Sequence, residues 1–141
     1  MLVQRYYIEK YDWTVTAYYA VTRYYVAEIM DNLRRIDCDA EFLKAAYKNL
    51  KENKLNSGLT YYNFKLRESV KVVALASSAK QFHQALMHEI RHLQSHIATT
   101  YTISEKGEQV CYLFDDIVGH THDKTAPLIC NCCRAKNKHH G

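Results

Sequence analysis

Residues 69–100 read SVKVVALASSAKQFHQALMHEIRHLQSHIATT, and the two periodicities inside this stretch decide the fold. Val70, Val72, Val73 and Leu75 form an apolar run short enough for a strand. Ser78 followed three residues later by Gln81 is the spacing of a capping box, and no Gly or Pro interrupts the chain until Gly107, so the pattern predicts a helix over about 79–100. Within it Phe82, Leu86, Ile90, Leu93 and Ile97 make an apolar stripe ~80° wide. Working back, residues 59–64 read as a second strand joined to the first through 65–68. The opening residues alternate, with Trp13, Val15, Ala17 and Tyr19 on one parity and a short strand over 3–8 before them. Thr22 is the expected N-cap of a helix carrying Val26, Ile29, Met30, Leu33 and Ile36. Asp39 caps a second helix with Phe42, Leu43, Ala46, Tyr47 and Leu50, which residues 53–58 break. Working forward, a last helix is expected to start at Ser104 and to stop at Gly119. The order is β, β, α, α, β, β, α, α: an α+β domain with a small sheet and about four helices over residues 1–119. Residues 120–141 are polar, contain the only proline, Pro127, and read as a Cys- and His-containing tail.

Composition bounds the function. With 141 residues, 48% hydrophobic and 24% charged, the chain has the makings of one buried core and not of a disordered segment. No apolar run approaches the ~18 residues that span a bilayer, and the N-terminus lacks a signal-peptide pattern, so a soluble, cytoplasmic chain is expected. The net charge of +4 is spread evenly, 11 Lys and Arg against 9 Asp and Glu in residues 1–70 and 8 against 6 afterwards. That dispersal gives no strong nucleic-acid signal. Five cysteines, three of them clustered at Cys130, Cys132 and Cys133, fit a reducing compartment better than a disulfide framework. Ten of twelve Tyr fall between Tyr6 and Tyr62, whereas all eight His fall at or after His83. The first half reads as framework and the second as chemistry.

The chemistry centres on His88-Glu89-Ile90-Arg91-His92, an HExxH sequence. At ~100° per residue the two imidazoles sit one turn apart on nearly the same face, with Glu89 beside them. Two neutral imidazoles can hold Zn²⁺, the ion lowers the pKa of a bound water, and Glu89 can take its proton as general base. Both histidines point roughly 140° from the apolar stripe, so they are not core residues. His96 lies ~12 Å of rise beyond His88, too far for one ion to bridge all three comfortably. In the last helix Val110, Leu113, Phe114 and Ile117 form the packing stripe. Glu108, Tyr112 and Asp115 fall on the opposite side, where they can look into a cleft.

The motif resembles that of the zincins, the HExxH metallopeptidases, in which a sheet strand lies beside the active-site helix. The Ser-Val-x-Val-Val strand, the HExxH helix and the Gly-Glu-x-x-x-Tyr segment after it are more narrowly similar to small zincin-like proteins of bacteria and their phages. Ser95 and Ala98 stand where metzincins have glycine and histidine, so that subclass is excluded. The gluzincin resemblance implies a glutamate third ligand on the following helix. Glu108 matches it, Glu105 would serve if that helix began later, and Tyr112 stands where an acidic residue is usual. Tyr112 could hydrogen-bond a developing oxyanion, and Asp115 could orient a ligand histidine through its second nitrogen. The implied activity is zinc-dependent hydrolysis of a peptide or protein. The alternative is a non-catalytic, possibly phage-encoded interaction or structural protein on the same scaffold.

Two further groups of residues call for explanation. Cys130, Cys132, Cys133, His139 and His140 are metal-capable, but their spacing is not that of a zinc finger or ribbon. Tyrosine doublets at 6–7, 18–19, 24–25 and 61–62 should, in strands, bury one ring and leave the other partly exposed.

Overall fold

A computed structural model describes residues 2–22, 25–52, 54 and 58–129. Its elements follow the expected order: β1 (Leu2–Ile8), a 3₁₀ turn (Glu9–Tyr11), β2 (Trp13–Val21), α1 (Val26–Arg35), α2 (Ala40–Lys51), β3 (Gly58–Asn63), β4 (Glu68–Ala74), α3 (Ala79–Thr100) and α4 (Glu108–Ile129). The strands form one mixed sheet in the order β1-β2-β4-β3, with β2 and β4 parallel and the two outer pairs antiparallel. This is the α+β class: one small sheet and four helices. Gly58 opens β3 at φ +154°, and a Cβ there would lie 1.9 Å from the Val72 carbonyl oxygen, so only glycine allows this approach to β4.

The period of two decides which face each strand residue buries. Trp13, Val15, Ala17, Tyr19 and Val73 pack beneath α3 and α4. Tyr18, Val21, Val70 and Val72 pack beneath α1 and α2. Because the sheet is covered on both sides, Tyr18 and Tyr19 are both fully buried, contrary to the expectation of one exposed ring. The Tyr6–Tyr7 doublet does divide that way: Tyr6 is buried, and Tyr7 lies on the outer face of edge strand β1. Tyr24 lies outside the described residues.

Asp39 caps α2 as expected, its Oδ1 accepting from the Phe42 N–H at 2.8 Å, and Ser78 caps α3, its Oγ accepting from the Gln81 N–H at 3.1 Å. The Gln81 side chain turns to Ser77 and does not close a full capping box. Thr22 is not the cap of α1. Tyr25 holds that position without a side-chain cap, and Thr22 accepts from its N–H through the backbone.

The last helix differs most from expectation. It begins at Glu108, not Ser104, because the Ser104 side chain and carbonyl close a turn on the Lys106 and Gly107 N–H groups. It then runs through Gly119 to Ile129, so residues 120–129 are helix and not tail. The packing stripe Val110, Leu113, Ile117 continues into Thr121 and Thr125, both buried. Their hydroxyls donate to the carbonyls of Val118 (3.0 Å) and Thr121 (2.8 Å), which satisfies them locally. A polar-looking stretch can thus face a core. Pro127 falls in the last turn. No helix among the described residues is long and apolar enough to cross a membrane.

Candidate metal centre

Residues 88–92 lie in the middle of α3, whose stripe of Phe82, Leu86, Ile90, Leu93 and Ile97 is buried against the sheet. His88 and His92 are exposed on the other side. Their rings meet edge to face at 4.8 Å, and their Nε2 atoms converge to 3.2 Å. Two nitrogens at ~2.0–2.1 Å from one ion in tetrahedral geometry stand ~3.3 Å apart, so the pair has the spacing of one edge of a zinc coordination shell. A surface cleft of about 510 Å³ reaches His88 from one side, between the 74–77 segment after β4 and Gln81, Gln84 and Ala85 of α3. Apart from the imidazole, no ionisable side chain among the described residues lines it.

The gathering stops at two histidines. Among the described residues, no three His, Cys, Asp or Glu side chains form a metal-holding group. Glu108 is the exposed first residue of α4 and is not brought to the pair. Glu105 is tied to α3 more closely: it accepts from Ser95 Oγ at 3.0 Å and from Gln94 Nε2 at 2.6 Å, and Gln94 in turn accepts from Arg91 at 2.8 Å. Ser95 sits ~20° from His88 around the helix axis and Gln94 ~120° from it, so Glu105 is held at the border of the histidine face, beyond His92. Tyr112 is 63% exposed on α4. Asp115 lines a separate shallow groove with Asp116, Gly119, His120 and Asp123, and it is Asp116 that approaches a histidine, His120, at 3.4 Å. No hydrogen bond among the described residues joins Tyr112 or Asp115 to His88 or His92. The clustered residues 130–141 lie outside the described residues.

Glu89 is the unexpected feature. It is 2% exposed and faces the sheet, where its Oε2 accepts from Thr60 Oγ1 at 2.6 Å. Beside Thr60, as its direct cross-strand partner, stands the fully buried Lys71. Burial pushes the Lys71 ammonium down to about 7, and the charge of Glu89 opposes that shift. Thr60 does not stand out in the sequence. Lys71 gives the one available signal, a lysine inside the apolar run from Val70 to Val73.

His96 extends the series one turn further. Its ring stacks on Tyr62 at 4.1 Å, and its buried Nδ1 has no hydrogen-bond partner among the described residues. Burial, aided by His92, lowers its pKa to about 4, so it is neutral at physiological pH. It is a packed ring beside the pair. His120 is likewise occupied, stacked on Tyr6 at 4.9 Å.

No protein-family model, curated protein or solved structure matches the chain.

Proposed function

We propose that the protein is a zinc-dependent hydrolase acting on peptide bonds, with His88 and His92 as metal ligands and Glu89 as general base. The observation that carries this reading is the convergence of the two Nε2 atoms to 3.2 Å on an exposed helix face beside a cleft. When bound, zinc supplies Lewis acidity toward water and a substrate carbonyl. His88 and His92 would hold the ion through their converging Nε2 atoms. To act as base, Glu89 would turn from Thr60 toward the histidine face, accept the proton that water gives up on attack and return it to the leaving amine. The uncharged lining of the cleft suits a neutral stretch of peptide chain beside His88. The third protein ligand is a glutamate after α3: Glu108 by resemblance to gluzincins, or Glu105, whose bond to Ser95 holds it at the border of the histidine face.

Metal analysis of purified wild type and variants tests this reading. Wild type should carry one zinc; His88→Ala and His92→Ala should lose it. Glu89→Gln should keep zinc and lose hydrolysis of a peptide library. Comparing Glu105→Ala with Glu108→Ala identifies the third ligand. Zinc that survives His88→Ala would place the metal elsewhere and end the hydrolase reading.

A second reading, a non-catalytic scaffold of the same kind, is favoured by one observation: Glu89 is buried and engaged by Thr60. It requires that zinc-loaded wild type hydrolyse no member of the library.

A further inference from the structure

Lys71 has none of its surface exposed, in the middle of β4. A lysine is almost never buried to that extent unless it is paired. Its Nζ lies 3.4 Å from the Tyr6 hydroxyl and 5.7 Å from the ring centroids of both Tyr6 and Tyr19. Those groups offer a dipole and two π faces, which attract a cation without cancelling its charge. The opposite charge comes from α3, where buried Glu89 acts on Lys71 and accepts from Thr60. Thr60 and Lys71 are paired across β3 and β4, so the hydroxyl that bonds the Glu89 carboxylate and the buried ammonium that its charge acts on stand side by side on adjacent strands.

The placement matters for the helix as a whole. The apolar stripe of α3 is held by non-directional burial, which tolerates a modest roll of the helix about its axis. A directional hydrogen bond at 2.6 Å to a buried carboxylate does not. Glu89 is ~100° around the axis from His88, so holding its carboxylate on the sheet sets the direction in which the imidazoles point.

We propose that Thr60 and Lys71 form a seat on the sheet for the Glu89 carboxylate, fixing the rotation of α3 so that His88 and His92 face outward as a pair. Both are positioning residues of the metal centre. The seat itself stands on the fold, whereas its catalytic consequence rests on the hydrolase reading.

Two measurements at neutral pH test the seat: melting temperatures of Lys71→Met, Glu89→Gln and the double variant, and metal binding by Lys71→Met and Thr60→Val. Each Lys71 or Glu89 single variant leaves a buried polar partner uncompensated and should melt below wild type, while the double variant should melt above the weaker single. Well below their melting temperatures, Thr60→Val and Lys71→Met should lose about ten-fold in zinc affinity and shift the visible absorption of bound Co²⁺. A role confined to stability would leave that spectrum unchanged. Additive melting losses in the double variant, or wild-type affinity and spectrum in Thr60→Val and Lys71→Met, would overturn the proposal. Coupled melting with the expected metal effects, in a protein that hydrolyses nothing, supports the seat and removes the hydrolase.

Discussion

The two faces of the sheet are built from different chemistry. Beneath α1 and α2, Tyr18, Ile29, Leu33, Ile36, Val70 and Val72 pack in a cluster whose ionisable members, Tyr18 and Cys38, are neutral at physiological pH. Burial raises both, the Cys38 thiol to about 11. Beneath α3 the core also encloses Lys71, Glu89, Gln94 and Ser69. Burying such groups costs several kcal/mol unless each is satisfied, so an apolar interior would hold the same fold more simply. Polar groups are thus concentrated under the helix that carries the histidine pair.

Substitutions on the two faces should therefore act differently. The largest stability loss is expected on the apolar side, where Leu33→Ala empties a fully buried site and should cost about 2–5 kcal/mol in urea unfolding, leaving zinc affinity unchanged. A change in zinc binding would erase the distinction between the faces. On the polar side, Ser69→Ala removes the acceptor of the Trp13 indole N–H, a 2.9 Å bond inside the core. It should cost about 1–3 kcal/mol through the unsatisfied donor.

The smallest effect is a pH slope. Lys71 has a folded pKa near 7, set by burial against the opposing charge of Glu89, below its ordinary 10.5. Between those values the unfolded chain binds the extra proton, so stability rises with pH across that window and the gain is absent below pH 7. Tyr6 and Tyr19, which face Lys71, are held above their ordinary values by burial and stay protonated there. Urea midpoints at pH 7, 8 and 9 should climb in wild type, by at most about 1.4 kcal/mol per unit, and climb less in Lys71→Met. Equal slopes would mean that Lys71 does not change its charge on folding.

Much of this architecture is legible in the sequence because local periodicity and caps agree with the tertiary result. The stripe from Phe82 to Ile97, the Ser78 and Asp39 caps and the parity of Trp13, Val15, Ala17 and Tyr19 each point to the element observed. The end of α4 was not legible. Thr121 and Thr125 look polar by type, and only their bonds to carbonyls in the preceding turn let them be buried. The direction of Glu89 was legible: at ~100° per residue it stands ~20° from the edge of the Phe82–Ile97 stripe, on the side that packs. What lay beyond local spacing is its meeting with Thr60 and Lys71, which depends on long-range strand pairing. The 101–107 connection was not legible either: it brings Glu105 to Ser95 and leaves Glu108 at the start of α4.

The central claim is that His88 and His92 hold one metal ion. Titrating the metal-free protein with zinc while recording heat, in wild type and in His88→Ala, tests it most directly. One strong site in wild type, lost in His88→Ala, is the predicted result; a site of equal strength in both would contradict the account.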